Sequence, residues 1–272
     1  MANIKELIKR IQDFYRFSWQ EISGLLIAVI FTAFIFSFRD WGGELFDIVI
    51  GLKNFVIVIF VAAISFTFRI SCQKIYALSQ GYKAEFKVWW VGLIIALVLA
   101  FISFGRVPLV LIGGVVTAFM VKQRLGEFRY GFSYLQNGFT SLWGILGNMI
   151  LAIGFALGLY YVPQSYFFSK GLMLNVIMGF CALLPLPQLD GLNIYFGSRI
   201  MYYIAIVTVL LASVLLLTRT KWGLIIAIVI GIFIGIIFDF DPRLSLLAGY
   251  AGTDILEGIY KSFNVSKVYV QK

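Results

Sequence analysis

Apolar runs long enough to cross a bilayer recur along this chain, and they decide what it can fold into. The runs are Ile22–Phe38, Ile48–Phe68, Val88–Phe104, Leu142–Val162, Gly171–Leu186, Ile200–Leu217 and Trp222–Phe238. A helix of roughly 20 apolar residues spans the hydrocarbon core, and inside lipid a backbone must satisfy its own polar groups. Of the 272 residues, 61% are hydrophobic and 13% charged, against roughly 25% charged in a soluble domain. The expectation is an all-α polytopic membrane protein with about six to seven transmembrane helices. The stretch Val107–Val121 is shorter and carries Pro108 and the pair Gly113-Gly114. It reads as a re-entrant membrane hairpin or as a short span.

Residues 1–20 are not expected to form a signal peptide, because no apolar core precedes a small-residue cleavage site. Instead Ile4, Leu7, Ile8, Ile11, Phe14 and Tyr15 share one helical face, with Lys5, Lys9, Arg10, Asp13 and Arg16 elsewhere. That pattern predicts an amphipathic interfacial helix over 1–20, a membrane domain over 21–238 and a short amphipathic tail over 239–272. Arg69–Lys87 reads as a polar helical stretch between spans. It and the basic loop Lys122–Arg129 alternate with the acidic connection Asp40, Glu44, Asp47. The positive-inside bias then places the N-terminus in the cytoplasm, although the Arg219/Lys221 turn fits that scheme poorly. The same bias accounts for the net charge of +9, so no nucleic-acid partner is expected. Pairs such as Trp89-Trp90, Tyr160-Tyr161 and Tyr202-Tyr203 lie near span ends, where aromatic anchoring explains them. Gly144, Gly147 and Gly154 on one span suggest close helix packing. Few charges fall inside spans and no inverted repeat is visible, which disfavours transport.

The chain contains no histidine. Histidine zinc ligands, Ser-His or Cys-His nucleophile pairs and imidazole proton relays are therefore excluded. Its two cysteines, Cys72 and Cys181, make no disulfide framework.

One segment stands out: Leu183-Leu184-Pro185-Leu186-Pro187-Gln188-Leu189-Asp190-Gly191. Two prolines and a glycine interrupt helix at membrane depth beside a carboxylate that is costly to ionise there. Asp190 could merely cap a kinked helix end, but a broken helix beside an intramembrane acid more often marks a functional site. The segment resembles the LLP-x-P-x-LDG signature of the site-2 protease family, the intramembrane zinc metalloproteases. Further matches follow in the family's order over about Ile22–Gly197. Gly81–Phe86 and Val88–Leu99 resemble the segment after the family's zinc helix in archaeal-type members. Gly113–Val116 resembles its Pro-Gly-Ala-Val hairpin, with Gly113 for proline. Gly144–Asn148 resembles a Gly-Pro-x-x-Asn span, with Ile145 for proline. Phe104–Ile112 shows no clear match.

The resemblance implies that the LDG aspartate is a third zinc ligand and that a His-Glu-x-x-His helix supplies two ligands and the general base. Counting back from Gly81 puts Arg69-Ile70-Ser71-Cys72-Gln73 at that motif. Arg69 and Gln73 stand for the histidines, Ile70 stands for the base, and Ala182 replaces the asparagine before the LLP segment. Zinc is therefore expected to be lost, with no catalytic residue and no cofactor. Arg69 and Gln73 share a helical face, so Arg69 is expected to pair with Asp190 where the metal would sit, with Gln73 adding a hydrogen bond. The alternative for Arg69 is to end the span by snorkelling to the headgroups. The expectation is a non-catalytic integral membrane protein, in a prokaryotic plasma membrane. It would bind a transmembrane client through a groove at Gly113, Gly114, Asn148, Pro185 and Pro187, or serve as a subunit of a membrane complex. The competing expectation is an active metalloprotease with an atypical site of Asp190, Cys72 and Cys181.

Overall fold

The structure is a computed structural model that describes residues 4–42, 46–119, 134–218, 220 and 222–230. The chain divides into two compact units, Met1–Ala227 and Ile228–Lys272, and residues 228–230 are the described part of the second. The first unit runs α1 (Ile4–Phe14), α2 (Trp19–Ser37), α3 (Ile48–Ser79), β1 (Tyr82–Val88), α4 (Trp90–Ile102), β2 (Gly113–Phe119), α5 (Tyr134–Tyr161), α6 (Tyr166–Leu183), α7 (Asp190–Gly197) and α8 (Arg199–Leu217). Residues 222–227 are also helical.

The helices α2, α3, α5, α6 and α8 are each long and apolar enough to cross a membrane. Many of their outward side chains are large and apolar, among them Leu26, Phe60, Ile150, Val207 and Val214. Such a surface is stable against lipid tails, and the chain is an integral membrane protein. Local chemistry sets several helix starts. Ser18 and Glu21 form a reciprocal capping box on α2, and Asp47 accepts from Val49 N and Ile50 N to start α3.

Three departures from the sequence reading have physical causes. The span expected to end at Phe68 continues as helix to Ser79, because Arg69, Gln73 and Lys74 are all buried against partners rather than turned to water. The stretch expected to stay helical to Lys87 turns at Gly81, whose φ of 86° suits only glycine comfortably, and becomes β1. Within β1, Tyr82, Ala84 and Phe86 are buried while Lys83 and Lys87 are exposed, the period-two pattern of a strand. The chain is thus mostly helical with a two-stranded sheet, not all-α. The span expected over Val88–Phe104 is only the 13-residue α4. At 1.5 Å per residue it reaches about 20 Å, short of a ~30 Å hydrocarbon core.

In the Val107–Val121 stretch, residues 108–112 carry no regular structure and lead into β2. That strand pairs antiparallel with β1, from Val88 opposite Gly113 to Tyr82 opposite Phe119. Of the expected span Trp222–Phe238, residues 222–230 are helical, and the remainder lies outside the described residues. So do the basic loop Lys122–Arg129 and the tail 239–272.

The core lies between α2, α3, α4, α5 and α6, around Phe66, Ile35, Leu172, Leu174 and Met178. Glycines let the helices approach. A Cβ at Gly144 would meet the Gln73 side chain at 2.4 Å, and one at Gly147 would meet Cys72 Sγ at 3.1 Å. Gly154 has nothing within 4 Å, so the close-packing reading does not hold there.

Candidate functional site

The site is built where α3, α5, β2 and the α6–α7 turn converge. α6 ends at Leu183 because Pro185 and Pro187 cannot continue its hydrogen bonding. The chain turns through Leu184–Gln188, with Gln188 at a φ of 65°, and restarts at Asp190. The cap position is Leu189, with no side-chain cap bond, so Asp190 is a first-turn helical residue and not a cap. The positive end of the α7 dipole favours a carboxylate there. Gly191 permits the turn: a Cβ there would lie 2.2 Å from Leu183 O and 2.6 Å from Leu184 O. Gly191→Ala is expected to cost about 1–3 kcal/mol, since backbone atoms must move, and a lowered melting temperature checks this.

Asp190 is completely buried. Its Oδ2 accepts from the Arg69 guanidinium, a buried ion pair, and from Gln73 Nε2 at 2.9 Å. Arg69 and Gln73 sit one turn apart on α3, at 3% and 1% exposure, so Arg69 does not reach to the headgroups. Ile70, between them, is buried in a separate apolar cluster with Ala77, Tyr82 and Val115. Asp190 Oδ1 faces β2, where a Cβ at Gly114 would lie 2.9 Å from it. Gly114 therefore lets the strand pass beside the carboxylate, while Gly113 at φ 117° lies against Lys87 O.

Asn148 is fully buried on α5, and neither of its amide atoms has a partner among the described residues. Pro185 and Pro187 are exposed beyond the turn. The structure thus brings Arg69, Gln73, Asp190 and Gly114 together, keeps Asn148 one turn from Gly144 on the face of α5 that meets α3, and holds the two prolines at the rim.

Zinc takes three or four nitrogen, sulfur or oxygen donors. Here Asp190 Oδ2 already holds a guanidinium and an amide, and the guanidinium repels a dication. Cys181 Sγ accepts from Val110 N at 3.4 Å, and Cys72 lies against Gly147. Among the described residues no three Cys, Asp or Glu side chains converge as a metal-holding group. The side chains around Asp190 do not make a zinc donor set.

A second buried ion pair had no signature in the sequence. Glu21 of α2 and Lys74 of α3, both 4% exposed, meet at 2.8 Å. Glu21 Oε1 also accepts from Phe86 N of β1 at 2.7 Å, and its Oε2 from Ser18 N at 2.8 Å. Lys74 Nζ donates to Arg16 O at 2.9 Å and lies 4.1 Å over the Phe17 ring. The capping box Ser18-x-x-Glu21 was readable, but nothing local pointed from Glu21 to Lys74 or to a strand edge. On the exposed face of β1, a hydrogen bond from Lys83 holds the Glu85 carboxyl below the usual carboxylate range.

No family profile matches the chain, and no solved structure matches it. Among curated proteins the chain is similar to one of Methanocaldococcus jannaschii named "Putative zinc metalloprotease MJ0611", at 28% identity over 181 residues. The match covers 65% of this chain and 84% of that protein.

Proposed function

We propose that the chain is a site-2 protease-like membrane protein of archaeal type without peptidase activity. It would use a transmembrane groove to hold a client or to join a membrane complex. The observation that carries the reading is the hydrogen-bonded set Arg69, Gln73 and Asp190. Each of these residues stands where the sequence resemblance expects a zinc ligand. A guanidinium there neutralises the buried carboxylate that a metal would otherwise neutralise. Neither Arg69 nor Ile70 can accept a proton from water at neutral pH, so the general-base step has no group to perform it. The similarity to a protein named as a zinc metalloprotease supports descent from a catalytic scaffold.

In this reading Gly113, Gly114, Asn148, Pro185 and Pro187 border the client groove. Residues 107–119 belong to a re-entrant membrane element, and α1 lies on the cytoplasmic face of a prokaryotic plasma membrane. Residues 21–238 form the functional domain, and no nucleic acid is involved.

The test is proteolysis in liposomes with single-span membrane peptides, with and without added zinc. No cleavage is expected. Cleavage that is lost in Asp190→Ala and in Cys72→Ser would overturn the proposal in favour of a site of Asp190, Cys72 and Cys181.

A further inference from the structure

At the membrane end opposite Glu21 lies a polar cavity of about 260 Å³ between the C-terminal ends of α2 and α4 and the first turns of α6. The 19 residues of α2 put it about 28 Å from the Glu21 cluster. Arg39, Arg106 and Lys170 line it, against one acid, Asp40. Asp40 is already committed: its Oδ2 accepts from Lys170 Nζ at 2.6 Å and from Tyr166 OH at 2.6 Å. Lys170 also donates to Phe36 O at 3.1 Å. Arg39 and Arg106 are exposed and have no carboxylate partner among the described residues. Glu44, nearby in sequence, lies outside those residues.

The helix dipoles explain why a cation follows α2 and another follows α4. They do not explain why both share one cavity with a lysine from a third helix. Just before Arg106 in the chain, Ile102 and Phe104 are exposed at 70% and 75%. Beside Arg39, Trp41 stacks on Phe46, the kind of aromatic pair found at headgroup level.

We infer that this cavity binds a phosphate group through Arg39 and Arg106, with Lys170 at its floor. Arginine's planar fork suits phosphate oxygens, and two such groups can hold one tetrahedral anion. The phosphate is that of an anionic lipid headgroup or a free phosphate. This inference is independent of the proposed loss of peptidase activity.

The test uses the full chain purified in a non-ionic detergent. Wild type and Arg39→Gln/Arg106→Gln are titrated with inorganic phosphate, at constant ionic strength set by chloride, and separately with phosphatidylglycerol. Binding is read by thermal shift and by native mass spectrometry. The substituted side chains are exposed, so the double variant is expected to melt like wild type in phosphate-free buffer. Binding is expected in wild type and roughly thirtyfold weaker in the double variant. Saturation by phosphatidylglycerol that inorganic phosphate cannot compete away assigns a lipid. Saturation by inorganic phosphate alone assigns a free anion. Equal affinities of wild type and double variant for both probes, or no binding of either by wild type, would overturn the inference.

Discussion

Asp190→Ala is expected to destabilise the detergent-solubilised protein by about 3–5 kcal/mol, which for a chain of this size lowers the melting temperature by roughly 10 °C. The substitution removes the carboxylate and leaves the Arg69 guanidinium, 3% exposed, without its ion-pair partner. A buried charge without its partner carries the full desolvation cost. Arg69→Ala is expected to cost a similar amount, because Asp190 at 0% exposure would then keep a single amide donor on Oδ2. The two effects should not add. The double variant Arg69→Met/Asp190→Leu removes both charges and is expected to melt above either alanine variant. Single variants that melt like wild type would contradict a buried, coupled pair.

The next largest effect is expected at Lys74. Lys74→Ala leaves Glu21 buried at 4% exposure, still bound by two backbone amides but without its cation. The expected loss is again about 3–5 kcal/mol. It has a local signature as well. Glu21 is the side chain that holds the outer edge of β1, through Phe86 N. When that carboxylate loses its cation, the amides of Tyr82–Val88 should exchange with solvent faster than those of α5. Hydrogen exchange followed by mass spectrometry reads both segments in one experiment. Unchanged protection across β1 would mean that Glu21 does not hold the strand.

How much of this was legible depended on whether a residue's partner lay close in sequence. The capping box of Ser18 and Glu21 is only four residues long and starts α2 at Trp19, three residues before the span expected from hydropathy alone. The broken helix at Asp190 is equally local, written by Pro185, Pro187 and Gly191. The length of α3 was not readable, because Arg69, Gln73 and Lys74 look like a polar stretch leaving the membrane. Arg69 and Asp190, 121 positions apart, were brought together only by the family resemblance, and nothing in the sequence joined Lys74 to Glu21, 53 positions away.

The strand β1 shows its alternation at Tyr82, Ala84 and Phe86, but a lone strand needs a partner. That partner, β2, lies beyond the intervening helix α4. Arg39 and Arg106 were unremarkable as residues that end two spans. Only the parallel packing of α2 and α4, visible in Phe34 and Phe38 against Phe101, draws them into one cavity.

In the proposed function, the Arg69–Asp190 pair stands where a metal would sit. The most direct measurement is the metal content per protomer of the wild-type protein, purified without chelators and analysed by elemental mass spectrometry. A value near zero, unchanged in Asp190→Ala, is expected. About one zinc per protomer, lost in Asp190→Ala, would contradict it.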